Sequence, residues 1–179
     1  MKSHVVRLAA SVLAAGTLLV SCSTDSDSAE EPDRPLTVKS VDHARAQSSE
    51  IVSEILDATA IKGSAIDTGP GVSACPDDPE RESFYLVRHP WSIYDVPRET
   101  LDEGMDRLRR VLPQQGWEII EDGELDNPNR TPRILFENKD LEYAAHVTIE
   151  GGREDALLHV SMVSTCYRAP EGEDLNTEF

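Results

Sequence analysis

Between Trp117 and Thr165 four strand-like runs follow one another: Trp117 to Glu121, Arg133 to Glu137, Glu142 to Ile149 and Leu157 to Thr165. The connections are polar: Asp126-Asn127-Pro128-Asn129 with Thr131-Pro132, then Asn138-Lys139-Asp140, then Gly151-Gly152-Arg153-Glu154-Asp155. Consecutive strands joined by short turns predict an antiparallel meander, because a parallel neighbour needs a long crossover. Tyr143, Ala145, Val147 and Ile149 alternate along one run, and Leu158, Val160 and Met162 along the next. These positions share a buried face, and a one-residue slip would expose them all, so parity restricts the register. Pairing Val147 with Val160 places His146 and His159 on the opposite face as diagonal neighbours.

Upstream, Val41, Ala44, Ser48, Ile51, Ile55 and Ala58 recur at steps of three and four, with Val52 and Leu56 widening the stripe. This spacing predicts an amphipathic helix ending near Gly63. Residues 64 to 83 read as a loop, punctuated by Gly69, Pro70, Gly71, Pro76 and Pro79. Phe84 to Val96 is rich in aromatic and β-branched residues and reads as a strand, with Pro90 favouring an edge or a bulge. Pro97 opens a second helix, in which Leu101, Met105, Leu108 and Leu112 keep helical spacing up to Pro113. Its early acids (Glu99, Asp102, Glu103) and late arginines (Arg107, Arg109, Arg110) complement the helix dipole. The predicted order is αβαββββ, an α+β two-layer sandwich with a five-stranded antiparallel sheet and both helices on one face. This single domain is expected over residues 38–170, with a frayed acidic tail over 171–179.

The N-terminus carries a different signal. Lys2, His4 and Arg7 precede an uncharged run from Leu8 to Val20, which is the shape of a signal peptide. A thirteen-residue helix spans only about 20 Å, short of the ~30 Å hydrocarbon core. The run ends in Leu19-Val20-Ser21-Cys22, which resembles the lipobox of bacterial lipoproteins. That resemblance implies cleavage after Ser21 and thioether attachment of diacylglycerol to Cys22. It further implies acylation of the new amino terminus by palmitate-type chains, and hence a cell-membrane anchor on the extracytoplasmic face. Residues 1–21 are then the signal peptide and 22–37 an acidic tether, since Ser23 to Arg34 holds no large apolar group that could offset the entropy of ordering. The excess of arginine over lysine, 13 to 4, and the stretch Cys166-Tyr167-Arg168-Ala169-Pro170 resemble small lipoproteins of high-GC Gram-positive bacteria. This second resemblance carries no activity with it.

With Cys22 assigned to lipid, Cys75 and Cys166 remain as one pair in an oxidising compartment, so a disulfide is expected. It would close a loop of about 92 residues and stabilise the fold by roughly 4–5 kcal/mol in the chain-entropy picture.

Charge and motif content narrow the chemistry. The formal net charge is -17, from 17 basic and 34 acidic side chains, which repels nucleic-acid phosphates. Gly-x-Ser-x-Gly, His-Glu-x-x-His and the phosphate-cradling Gly-x-x-x-x-Gly-Lys motif do not occur. His146 and His159 lack a third ligand at recognisable spacing, so no metal is expected. Asp122, Glu124 and Asp126 alternate as in a calcium loop, but Asn127 stands where glycine is needed and Arg133 where a bidentate Glu is needed. His89 and Arg88 have no identifiable nucleophile or carboxylate partner, so no catalytic residue and no cofactor is assigned. Trp91 and Tyr94 fit either core packing or an aromatic wall for a sugar or lipid.

The face carrying Ala144, His146, Leu157, His159 and Val163 is more apolar than a solvated sheet face. Either a partner covers it, an envelope protein or a second copy, or Val38 with the preceding linker or the Pro-rich loop folds over it. The function expected is therefore that of a lipid-anchored, non-catalytic, extracytoplasmic binding or accessory protein of the cell envelope. The alternative is a carrier of a small hydrophobic ligand in a cleft between helices and sheet.

Overall fold

The computed structural model describes residues 35–76, 78 and 83–178. The expected signal peptide, Cys22 and most of the tether lie outside the described residues. In chain order the elements are α1 (Val41–Thr59), β1 (Ser64–Asp67), β2 (Gly71–Ala74), β3 (Phe84–Tyr94), α2 (Arg98–Val111), β4 (Glu118–Glu124), β5 (Pro132–Asn138), β6 (Tyr143–Glu150), β7 (Leu157–Ser164) and β8 (Tyr167–Arg168). Single 3-10 turns follow α2 and close the chain, at Leu112–Gln115 and Leu175–Thr177.

α1 forms where the stripe predicts it. Ser40 caps it, its Oγ accepting from His43 N at 3.3 Å, and the buried residues are Val41, Ala44, Ser48, Ile51, Val52, Ile55 and Thr59. The helix stops at Ala60, whose left-handed φ of 52° ends the α1 geometry a turn earlier than Gly63. α2 begins one residue after Pro97, and Gly116, at φ 88°, ends the 3-10 turn that prolongs it. Arg107, expected to complement its own helix, also donates from Nη1 to the Thr59 carbonyl at 3.1 Å, so α2 satisfies an orphan acceptor at the end of α1.

The strands form one antiparallel sheet in the order β1-β3-β7-β6-β5-β4, with β2 and β8 also paired to β3. The α+β class matches the expectation, and Val147 pairs with Val160. The five-stranded sheet and the order αβαββββ do not hold, because eight strands form. The three additional strands are short: β1 and β2 have four residues each and β8 two. Their order comes from β3, an eleven-residue template that no local pattern in residues 64 to 74 reveals. β1 pairs with residues 91 to 94 of β3 and β2 with residues 85 to 88, so His89 and Pro90 fall at the break between them. Pro90 has no N–H to donate and sits where the outer row is interrupted.

Both helices cover one face of the sheet. Ile51, Ile55, Leu101, Met105 and Leu108 pack with Trp91, Phe136, Ala145, Val147, Val160 and Met162 in the main core. A second cluster joins Val41 and Ala44 to Tyr85, Val87, Tyr167 and Leu175. The tail expected to fray is docked instead: Leu175 is buried, and Glu173 Oε1 accepts from Val41 N at 2.9 Å at the start of α1. That carboxylate fills a vacancy every helix N-terminus has. Cys75 and Cys166 form a disulfide with Cα atoms 5.8 Å apart, linking the residue after β2 to the residue before β8. No helix among the described residues is long and apolar enough to cross a membrane.

Candidate functional site

His89 lies on the core side of β3, between Val87 and Trp91, and is 1% exposed. Two polar groups distant in the sequence complete its hydrogen bonding. Ser48 Oγ, on the apolar stripe of α1, is 3.1 Å from Nδ1, and Asp67 Oδ1, at the end of β1, is 2.7 Å from Nε2. This corrects the expectation that His89 has neither a hydroxyl nor a carboxylate partner. Assigning the proton to Nε2 satisfies the whole set: the ring donates to Asp67 and accepts the Ser48 hydroxyl at Nδ1.

The constellation has the composition of a nucleophile, base and acid, but its access differs from that of a working nucleophile. Ser48 is fully buried and His89 nearly so, while the Asp67 side chain is 49% exposed. The hydroxyl points into the layer between α1 and the sheet, and only the carboxylate end meets solvent. Burial raises the Asp67 pKa, but hydrogen bonds from Gly69 N and from His89 outweigh it and hold the carboxyl below its usual range. Chemically, this is a buried relay that pins α1, β3 and β1 together.

Tyrosines reinforce the same layer. Tyr85 donates from its hydroxyl to Lys39 O at 2.8 Å and Tyr143 to Ala44 O at 3.1 Å, fastening the start of α1 to the sheet. Burial pushes the Tyr143 hydroxyl up to about 12.

The opposite face is open. β6 carries Ala144 and His146 there, with Thr148 buried at 3%, and β7 carries Leu157, His159, Ser161 and Val163, in the pairs Ala144 with Val163, His146 with Ser161 and Thr148 with His159. His146 and His159 are thus diagonal neighbours, as the register predicts. His159 Nδ1 lies 3.0 Å from Ser92 Oγ, whereas His146 Nε2 is buried without a hydrogen-bond partner. Desolvation is the main cause that lowers the His146 pKa, with the charges of Arg133 and His159 adding to it. Among the described residues no group of three His, Cys, Asp or Glu side chains is placed to hold a metal ion.

Ala144, His146, Leu157, His159 and Val163 are all half-buried, neither sealed in the core nor fully exposed. Of the described parts of the segments considered as covers, Val38 is 62% exposed and bridges Arg168 of β8, and residues 64 to 74 form the outer strand row. These described parts pair with β3 and β8, not with β6 or β7. Asp122 and Glu124 are engaged by Arg109 and Arg130 in ion pairs, the former bidentate at 2.8 Å. Trp91 belongs to the core, while Tyr94 lines a groove of about 750 Å³ on the open face, with Ile66, Ser92, Asp95, Arg153 and Leu157 among its walls. A smaller concavity of about 320 Å³ lies where the end of α1 meets β1, against Leu56, Ile61, Ala65 and Ile93.

Compared with protein-family models, curated proteins and solved structures, this chain matches none of them.

Proposed function

We propose that this chain is a lipid-anchored, extracytoplasmic binding or accessory protein of the cell envelope, non-catalytic, that presents its open sheet face to a partner. The observation that carries the reading is the unlike treatment of the two faces. One is sealed by both helices, while Ala144, His146, Leu157, His159 and Val163 are only half-buried on the other. A contiguous, partly apolar face is a common feature of an interaction surface. Support for the absence of catalysis is the burial of Ser48 and His89. The anchor rests on Leu19-Val20-Ser21-Cys22.

The test is a pull-down from detergent-solubilised envelopes with the acylated protein, beside Cys22→Ala and Val163→Glu forms. A discrete co-purifying protein retained by the parent and lost from Val163→Glu, with unchanged thermal stability, supports the reading. Equal recovery from all three forms contradicts it. The carrier reading draws on the 320 Å³ concavity beside α1 and predicts saturable uptake of a hydrophobic dye that Ile61→Asp abolishes.

A further inference from the structure

The two edges of the sheet are built differently. β4 carries Glu118, Glu121, Asp122 and Glu124 within seven residues, and its register breaks between Ile119 and Glu121. Charge and irregularity of that kind discourage the addition of another strand. The opposite edge is the β1–β2 row, Ser-Ala-Ile-Asp and Gly-Val-Ser-Ala, whose single charge is Asp67. That carboxylate is already turned to Gly69 N and His89. Every residue of β1 is exposed, and Ile66, at 54%, is among the few exposed large apolar side chains. A strand paired on one side only leaves N–H and C=O groups of alternate residues free on the other, which is the template used in β-augmentation.

The groove lies beside this edge. Ile66 faces Ser92 across the ladder, and both line the groove together with Tyr94, Ala156 and Leu157. Its rim carries Asp95, Glu154 and Asp155 against Arg153 alone. A strand added to β1 would place every second side chain on the open face next to Ile66, at the mouth of this groove. An apolar floor under a rim with three carboxylates and one guanidinium suits a long aliphatic stem with a cationic end.

We propose that the β1 edge pairs with an extended segment of a partner polypeptide in which lysine or arginine alternates with apolar residues, the basic side chains entering the groove beside Ile66. The net charge of -17 favours approach of such a segment. A second copy of this chain is a poor match, since β1, β2 and β4 contain no lysine or arginine to offer. The inference rests on the reading of the chain as a binding module, and it names a surface that shares only Leu157 with the face around Ala144, His146, His159 and Val163.

The experiment uses the full folded chain and a fluorescent Val-Lys-Val-Lys-Val-Lys-Val peptide, followed by anisotropy. Controls are the same peptide N-methylated at its valines, another N-methylated at its lysines, and one with glutamate in place of lysine. The expected result is saturable binding that weakens about ten-fold or more for at least one methylated peptide, for the glutamate peptide and for Ile66→Lys. An Asp95→Asn/Glu154→Gln form weakens it too, and carries the test if Ile66→Lys fails to fold. Val163→Glu leaves peptide binding intact, so loss of the envelope partner through that variant and loss of the peptide are separately read. Equal binding of all methylated peptides would reduce the effect to bulk charge attraction and overturn the proposal. So would absence of binding, or self-association of the chain that Ile66→Lys abolishes.

Discussion

His89 Nε2 lies 2.7 Å from Asp67 Oδ1, and this bond joins the longest strand of the sheet to the end of β1, at the break in its outer row. Asp67 gains partners on folding that an unfolded chain does not supply, so its carboxyl ionises more readily in the native state. A depressed carboxyl stabilises the fold above its unfolded pKa of about 4 and loses that contribution as pH falls through the native value. Urea titrations between pH 7 and pH 2 should show an acid limb that is shallower in Asp67→Asn. Parallel pH curves for the two forms would show that the pair is not coupled to folding.

Ser48→Ala leaves His89 Nδ1 buried without its hydroxyl partner. The cost expected is about 1–3 kcal/mol, from desolvation of an unsatisfied buried group. Denaturant midpoints at neutral pH measure it, and a loss well under half a kcal/mol would mean that another group reaches Nδ1.

Of this relay, the sequence made two parts visible separately and the whole not at all. Ser48 stands on the apolar stripe of α1 and His89 on the core-facing side of β3, and buried polar side chains require partners. That requirement is the signal that could have linked them. Asp67 is hidden because β1 lies in a Gly- and Pro-punctuated stretch with the pattern of a loop, and 41 and 22 residues separate His89 from its two partners. The register around Val147 and Val160 was legible because alternation on both strands allows few pairings. β1, β2 and β8 were not, since two to four residues beside Gly and Pro hold no period of their own. The docking of the tail is hidden for a similar reason: its acidic composition conceals Leu175 and the Glu173 contact at Val41 N.

Replacing both Cys75 and Cys166 by alanine releases a cross-link between residues 91 apart. The chain-entropy estimate puts the loss near 4–5 kcal/mol. Denaturant unfolding of the double variant against the oxidised parent checks it, and a loss of under about 1 kcal/mol would show that the unfolded chain is already restrained.

Gly151, in the turn between β6 and β7, has φ 79°, and a Cβ there would stand 2.5 Å from Asp155 O. Gly151→Ala should therefore destabilise the domain by about 1–3 kcal/mol, through left-handed strain and a backbone clash together. An unchanged thermal midpoint would mean that the turn rearranges at no cost. The same variant should alter the groove on the open face, whose wall includes Arg153, Glu154 and Asp155.

The central claim, that an anchored domain meets a partner through its open face, is tested most directly by site-specific photo-crosslinking in intact cells. A photoreactive side chain placed at Val163, on the open face, is compared with one placed at Glu50, on the exposed side of α1. The account predicts a discrete cross-linked species from position 163, none from position 50, and loss of that species when Cys22→Ala removes the anchor. Equal cross-linking from both positions, or none from position 163 in the acylated protein, would contradict it.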